Sequence, residues 1–582
     1  MRLIATAALT ALLALPLHAA DDWIEASNAQ AMRLLQLQAQ FQPEGAARTG
    51  VEGFDDRIVD LKPRRLERER KALEDLRAEF VAALEAAEHP KLQQDLQILI
   101  ESINNDLKGM ALYAQHMLPY YAVDRTVFYG IKGLLDPRIP AERQKHAVTR
   151  LQRYAGLDGS VPLTELARAR TEERLANAEL IGPYRAQMEQ NLSESDQVIK
   201  GLRELFEKSG LDGWQDAMKA FSRQLFLYNQ WLRKTLLPRA RSDHRLPPEI
   251  YAHNLTNFGV DVDPRELMRK ALVAFAEIRN EMHTLAPLVA EQHGLETEDY
   301  REVIAALKRE QIGNDEILDI YNQRLATVEQ SLRDEQLVSV PERAASIRLA
   351  SEAESAILPA PHMSPPRLVG NTGEYGEFVL PLNVPAEPGK EALKMDDFTF
   401  DATTWTLTAH EARPGHEMQF AAMIESGVST ARAVYAFNSV NVEGWALYAE
   451  AIVKPQFPLD GQLIGLQHRL LRATRAFMDP MVNLGLITPD EVREFLMTEV
   501  VMSEAMAKQE VDRYTFRAPG QATSYFYGYQ RLMETRQRAE LALRDRFDDK
   551  AFHDFVLAQG LVPPGLLFQA VMEEFVPSQR GG

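Results

Sequence analysis

The chain has 582 residues, 45% of them hydrophobic and 26% charged, and a formal net charge of −19. That composition excludes a disordered chain and disfavours a nucleic-acid binder, because an acidic surface repels phosphate and no basic stripe interleaved with aromatics occurs. With no cysteine there is neither a disulfide nor a lipidated thiol, and any metal must be held by His and carboxylate.

Met1-Arg2-Leu3, an apolar run to Leu17 and the small exit around Ala19-Ala20 read as a secretory signal peptide over 1–20. The apolar run is shorter than the ~18–20 residues that span a bilayer. A mature protein that is periplasmic or secreted, with no membrane span, is the expectation. From 21 to about 335 apolar residues recur every three or four positions, predicting a helical amino-terminal lobe. Within it Leu211 to Leu237 carries Trp214, Met218, Phe221, Leu225, Tyr228 and Leu232 on one stripe, and a further helix is predicted from Asp263 to about Gln292 with Asp263 as its cap.

Between 336 and 400 proline becomes dense, and Leu337–Val340 and Phe378–Leu380 read as short strands of a small sheet. Phe378 to Asn383 is placed either as an edge for an extended peptide or as a plain connecting loop. Helices resume over 401–582, with Asp401 or Thr403 capping the helix that runs into His410. The expected architecture is mainly α, a large two-lobed helical fold with a small sheet near the active-site helix, and 21–582 forms one continuous domain.

His410-Glu411-Ala412-Arg413-Pro414-Gly415-His416 carries the chemistry. In H-E-x-x-H the two histidines are four apart on one helical face; here they are six apart, which on an unbroken helix turns the second ring about 120° away. Pro414-Gly415 supplies the break that brings it back. Glu443 and Glu450, two helical turns apart in an apolar segment, add carboxylates on one face, and a buried carboxylate needs a partner or a metal. Two imidazoles and a carboxylate, with one position left for water, are the donor set of hydrolytic zinc, so His410, His416 and Glu443 are the metal ligands predicted, one zinc per chain. Glu411, beside the first ligand, is the general base. Glu450 is either an alternate ligand or the group that orients a histidine.

These motifs, H-E-x-x-P-G-H-x-x-Q from His410 to Gln419 and E-G-W-A from Glu443 to Ala446, resemble those of the bacterial family called domain of unknown function 885. Pro519-Gly520-Gln521-Ala522-Thr523-Ser524-Tyr525 is similar to its P-G-Q-A-x-x-Y. That family looks like a distant branch of the gluzincin metallopeptidases, the broad group of angiotensin-converting enzyme and thimet oligopeptidase. The resemblance implies a helical, two-lobed enzyme with a deep central channel that hydrolyses short peptides, with Tyr525 as the donor to the developing oxyanion. Tyr514, Tyr527 and Tyr529 are rivals for that role. Arg513 either binds a substrate carboxylate or forms a structural ion pair. One departure stands out: where many members carry D-T-G-x-H, this chain has Asp479-Pro480-Met481-Val482-Asn483. A zinc amidase or esterase on a non-peptide substrate would use the same residues. A non-catalytic binding protein that kept the fold would have no need of Glu411.

Overall fold

The computed structural model describes residues 22–351, 354–355, 358, 360–371, 373–382 and 395–581. The signal-peptide segment 1–20 and Asn383 lie outside the described residues. With 69% helix and 3% strand the protein is mainly α.

The predicted stripe folds as helix α1, Gln215–Trp231, continued by a π-turn over Leu232–Leu236. Its six apolar positions are all buried. Helix α2 spans Pro264–His293, where the Asp263 side chain accepts from the backbone N–H groups of Arg265 and Glu266 and Gly294 closes the helix in the left-handed region. Helix α3, Ile317–Asp334, precedes three short strands: β1 Ser346–Leu349, β2 His362–Ser364 and β3 Glu377–Leu380. Then follow α4 Asp401–Glu411, α5 His416–Glu425, α6 Ser439–Val453, α7 Leu459–Asn483, α8 Glu504–Asp512 and α9 Thr523–Leu543.

Among several buried apolar clusters, one of which packs Trp405, Met418, Trp445 and Tyr448 together, two divide along the chain. One gathers residues from Ala47 to Leu236, including Phe206, Phe221 and Tyr228. The other runs from Tyr251 to Tyr527 and takes in Phe275, Tyr321, Phe378 and Phe477. The packing therefore changes between Leu236 and Tyr251, and the second core continues across residue 335.

The sheet order is β1-β3-β2, with β1 parallel and β2 antiparallel to β3. This corrects two expectations. Leu337–Val340 is not a strand, because Leu337 N–H bonds back to Leu332 at the end of α3 and Ser339 N–H is held by Asp554 at 2.8 Å. Phe378–Leu380 does form a strand, β3, but of the substrate edge and the connecting loop left open for Phe378 to Asn383 its described part is neither: it is the central strand, paired on both sides and buried at Phe378, Val379 and Leu380. The edge is β2. The cap of α4 also differs: Phe400 occupies that position without a side-chain bond, and Asp401 in the first turn pairs with Arg324 at 2.5 Å. The cause is the strand-like bridge between Phe400 and Gln311, which keeps the chain extended up to the helix.

Candidate metal and catalytic site

Helix α4 ends at Glu411 and α5 begins at His416, so the two extra residues of the motif are spent in a break between helices. Glycine is required there. A Cβ on Gly415 would lie 1.9 Å from the His410 carbonyl oxygen, so any side chain would push the second histidine away. The break is clamped from both sides. Trp445 Nε1 donates to the Pro414 carbonyl at 2.9 Å. Arg413, fully buried, donates to Glu417 at 2.9 Å, to Glu329 of α3 at 2.5 Å and to the Arg343 carbonyl at 2.9 Å.

The result brings the two rings together, with centroids 4.8 Å apart and nearly perpendicular at 82°. Glu443 Oε2 lies 3.7 Å from His410 Nε2 and 3.4 Å from His416 Nε2, and one ligand atom from each of the three residues falls within 4.8 Å of the others. Glu450, two turns further along α6, lies on the other side of His410: its Oε1 is 2.7 Å from Nδ1. In the neutral ring, an Nδ1–H donated to Glu450 leaves the Nε2 lone pair facing Glu443. Of the two roles read for Glu450, the geometry is that of the orienting group, held in turn by Thr406 at 2.8 Å and Arg472 at 3.4 Å. Burial disfavours the imidazolium of His410, yet the flanking carboxylates of Glu443 and Glu450 overcome it and push His410 up to about 9. Glu443 moves well below the usual carboxylate range despite its burial, because both histidines face it. The cluster favours a positive charge at its centre.

A cavity of about 470 Å³ opens over these residues, lined by Glu411, Arg513, Tyr525, Gln521 and the β2 residues His362 and Met363. Tyr525 arrives on α9, which packs close to α6 because two glycines meet: a Cβ on Gly444 would fall 2.5 Å from the Gly528 backbone. The Tyr525 ring stacks along His410 at 6.5 Å between centroids. The Arg475 guanidinium lies 4.5 Å from the Tyr525 centroid, and those of Arg472 and Arg513 are each 6.0 Å away. Burial raises the Tyr525 pKa, so the phenol keeps its proton. Its three rivals do not line this cavity. Tyr514 donates to Glu510 at 2.8 Å, Tyr527 bonds Asp261, and Tyr529 packs beneath Arg469. Arg513 fits both of its roles, since it faces the cavity while Nη2 sits 3.2 Å from Glu510 and Nη1 sits 3.3 Å from the Tyr525 hydroxyl.

Asn483 donates to Asp479 Oδ1 at 3.0 Å and to the Tyr514 carbonyl at 3.1 Å. Asp479 also accepts from Tyr251 at 3.1 Å and from Gly520 N–H at 2.9 Å, tying down the turn that leads to Tyr525. Asparagine brings no charge, and burial pushes Asp479 from 3.8 up to about 7. The unfolded chain then binds fewer protons than the folded one between about pH 4 and 7, so this group lowers stability as pH rises through that window, by an upper bound on the order of 4 kcal/mol. Urea midpoints of the wild type should fall more between pH 5 and 8 than those of Asp479→Asn. Equal pH slopes in the two proteins would assign the titration elsewhere.

Residues 43–571 match the family described as bacterial protein of unknown function, DUF885. The chain belongs to that family. No curated protein matches it. Among solved structures it is similar to a candidate lipoprotein of unknown function from Shewanella oneidensis, with 19% identity and a TM-score of 0.70, covering 95% of this chain and 100% of that one. A candidate lipoprotein from Colwellia psychrerythraea is similar at 18% identity and a TM-score of 0.74, covering 96% and 99%. At these identities the likeness is one of fold. Pz peptidase A with inhibitor 2 gives a TM-score of only 0.31 at 14% identity, covering 88% and 96%, and carries no argument.

Proposed function

We propose that the chain is a zinc-dependent hydrolase that cleaves amide bonds of short peptides, acting in the periplasm or outside the cell. The observation that supports this most is the convergence of His410, His416 and Glu443 at the floor of an open cavity with Glu411 beside them. The donor set fits zinc, because Glu443 Oε2 is buried without a hydrogen-bond partner among the described residues. When bound, zinc supplies Lewis acidity and lowers the pKa of water towards about 7.

The chain's own residues do the rest. Glu411 takes the proton of the attacking water and hands it to the leaving amine. Tyr525 donates to the carbonyl oxygen as negative charge develops there, and the guanidiniums around its ring favour that donation. Arg513 receives a substrate carboxylate, and the β2 edge at His362 and Met363 lies where an extended backbone can pair. No described helix is long and apolar enough to cross a membrane.

The test is metal analysis of the purified protein joined to peptide-library digestion read by mass spectrometry. About one zinc per chain and discrete peptide cleavages are expected. A zinc-loaded protein that cleaves no peptide sinks the proposal, and cleavage confined to small amides or esters transfers the same residues to another substrate. Glu450→Gln should weaken zinc about 10–100-fold in chelator competition, as expected when a ligand histidine loses its orienting carboxylate. Undiminished affinity would mean that Glu450 does not set the His410 ring.

A further inference from the structure

A second and larger cavity, about 780 Å³, lies against the first. The two share Arg517 and Ala518 in their walls, so a single short segment separates the space above His410 from the space beyond. The charge of this second cavity runs against that of the chain. Acidic residues outnumber basic ones 84 to 65 overall, yet the lining carries Arg65, Arg174, Arg241 and Arg517 against Glu69 as the one carboxylate among the described residues.

Arg65 is neutralised by Glu69 at 3.2 Å, and Arg517 lies 3.7 Å from Asp512. Arg174 and Arg241 have no carboxylate within ion-pairing distance among the described residues. Their anchors are backbone carbonyls, Ala114 for Arg174 at 2.5 Å and Asp243 for Arg241 at 2.6 Å. A carbonyl fixes the guanidinium without cancelling its charge. Arg241 Nε is buried with no hydrogen-bond partner among the described residues, and burial lowers the pKa of that side chain against the smaller opposing pull of the Asp243 carboxylate, which is itself ion-paired with Arg245. The Arg241 guanidinium also sits 5.6 Å over the Tyr184 ring, which holds it at the cavity wall. Tyr184 and Phe516 supply flat apolar surface beside these charges.

We infer that this second cavity is a subsite for an acidic stretch of an extended peptide whose scissile bond lies over His410 and Glu411, with Arg174 and Arg241 as the groups that read the negative charge. The inference rests on the hydrolase reading for its placement of the scissile bond, and it depends on binding alone for its test. Arg517 and Ala518, shared by both walls, mark where the peptide passes from one cavity to the other.

The experiment uses fluorescein-labelled peptides of about eight residues, roughly 26 Å when extended, with a run of Glu at the amino end or at the carboxyl end. Each is paired with a counterpart carrying Gln in place of Glu. Anisotropy titrations are made with the zinc-loaded Glu411→Gln protein, so that binding is read without turnover. In at least one polarity the Glu peptide should bind about tenfold tighter than its Gln counterpart at low salt. Adding Arg174→Gln and Arg241→Gln together should bring that ratio close to one, and Lys at both positions should restore most of it. Equal affinity for Glu and Gln peptides in both polarities overturns the subsite, and this comparison needs no further variant to fold. A ratio that survives the double Gln change overturns it too. If the wild type cleaves no peptide yet the charge preference is present, the hydrolase reading fails and the acidic-ligand site stands.

Discussion

Glu411→Gln should lower kcat for peptide hydrolysis by about 10²–10⁴ while bound zinc stays near one per chain. The substitution keeps the shape of the side chain and removes its basicity. Glu411 sits at the last position of α4, directly after His410, and lines the cavity without belonging to the three-residue donor cluster. Its loss therefore removes a proton acceptor and leaves the donors in place. Glu443→Gln is the contrasting variant. It replaces a carboxylate whose Oε2 lies within 3.7 Å of both histidine Nε2 atoms, so zinc and activity should fall together. Metal content by plasma emission spectroscopy and turnover on one peptide separate the two cases. A Glu411 variant with full turnover would hand the base to another group. A Glu443 variant with full zinc would remove that residue from the donor set.

The sequence made the candidate donors of this site legible and left most of its scaffolding hidden. His410, His416 and Glu443, which the fold brings together, could be named as candidate ligands because residue type and spacing limit what a zinc ion would accept, and because Pro414-Gly415 announces a break in the helix. The seven-residue spacing of Glu443 and Glu450 was legible as one helix face. Which carboxylate faces which nitrogen was not, since that depends on His410 being inserted between them from another helix. The contact of Gly444 with Gly528, which sets how closely Tyr525 approaches, joins residues 84 apart (528 − 444). A single sequence gives no signal for such a pairing. Of the two strands read, Phe378–Leu380 folds as part of β3, and Leu337–Val340 failed for a related reason. Leu337–Val340 has the composition of a strand, but its backbone groups are taken by the end of α3 and by Asp554. β2, His362–Ser364, is three residues long and owes its existence to pairing with β3. The arginines around Tyr525 come from α7 and from the segment after α8, and only the fold shows that they surround one ring.

Tyr525→Phe should lower kcat by about 10²–10³, with zinc content unchanged and KM little affected. The phenylalanine keeps the stacking along His410 and the packing of α9 against α6, so the ring remains where it is. What disappears is one hydroxyl, 3.3 Å from Arg513 Nη1 and inside the cavity over the candidate metal ligands. Removing a donor that acts only as charge builds on the carbonyl oxygen raises the barrier without weakening ground-state binding, which is why the loss belongs in kcat. Arg513 gives the internal control. Arg513→Gln removes a charge proposed to bind a substrate carboxylate, so it should raise KM for peptides with a free carboxyl end more than for amidated ones. A Tyr525→Phe protein whose loss lies entirely in KM would make the phenol a binding group. Unchanged kinetics would end its catalytic role, and because Tyr514, Tyr527 and Tyr529 are engaged away from the cavity, no neighbouring phenol stands ready to take its place.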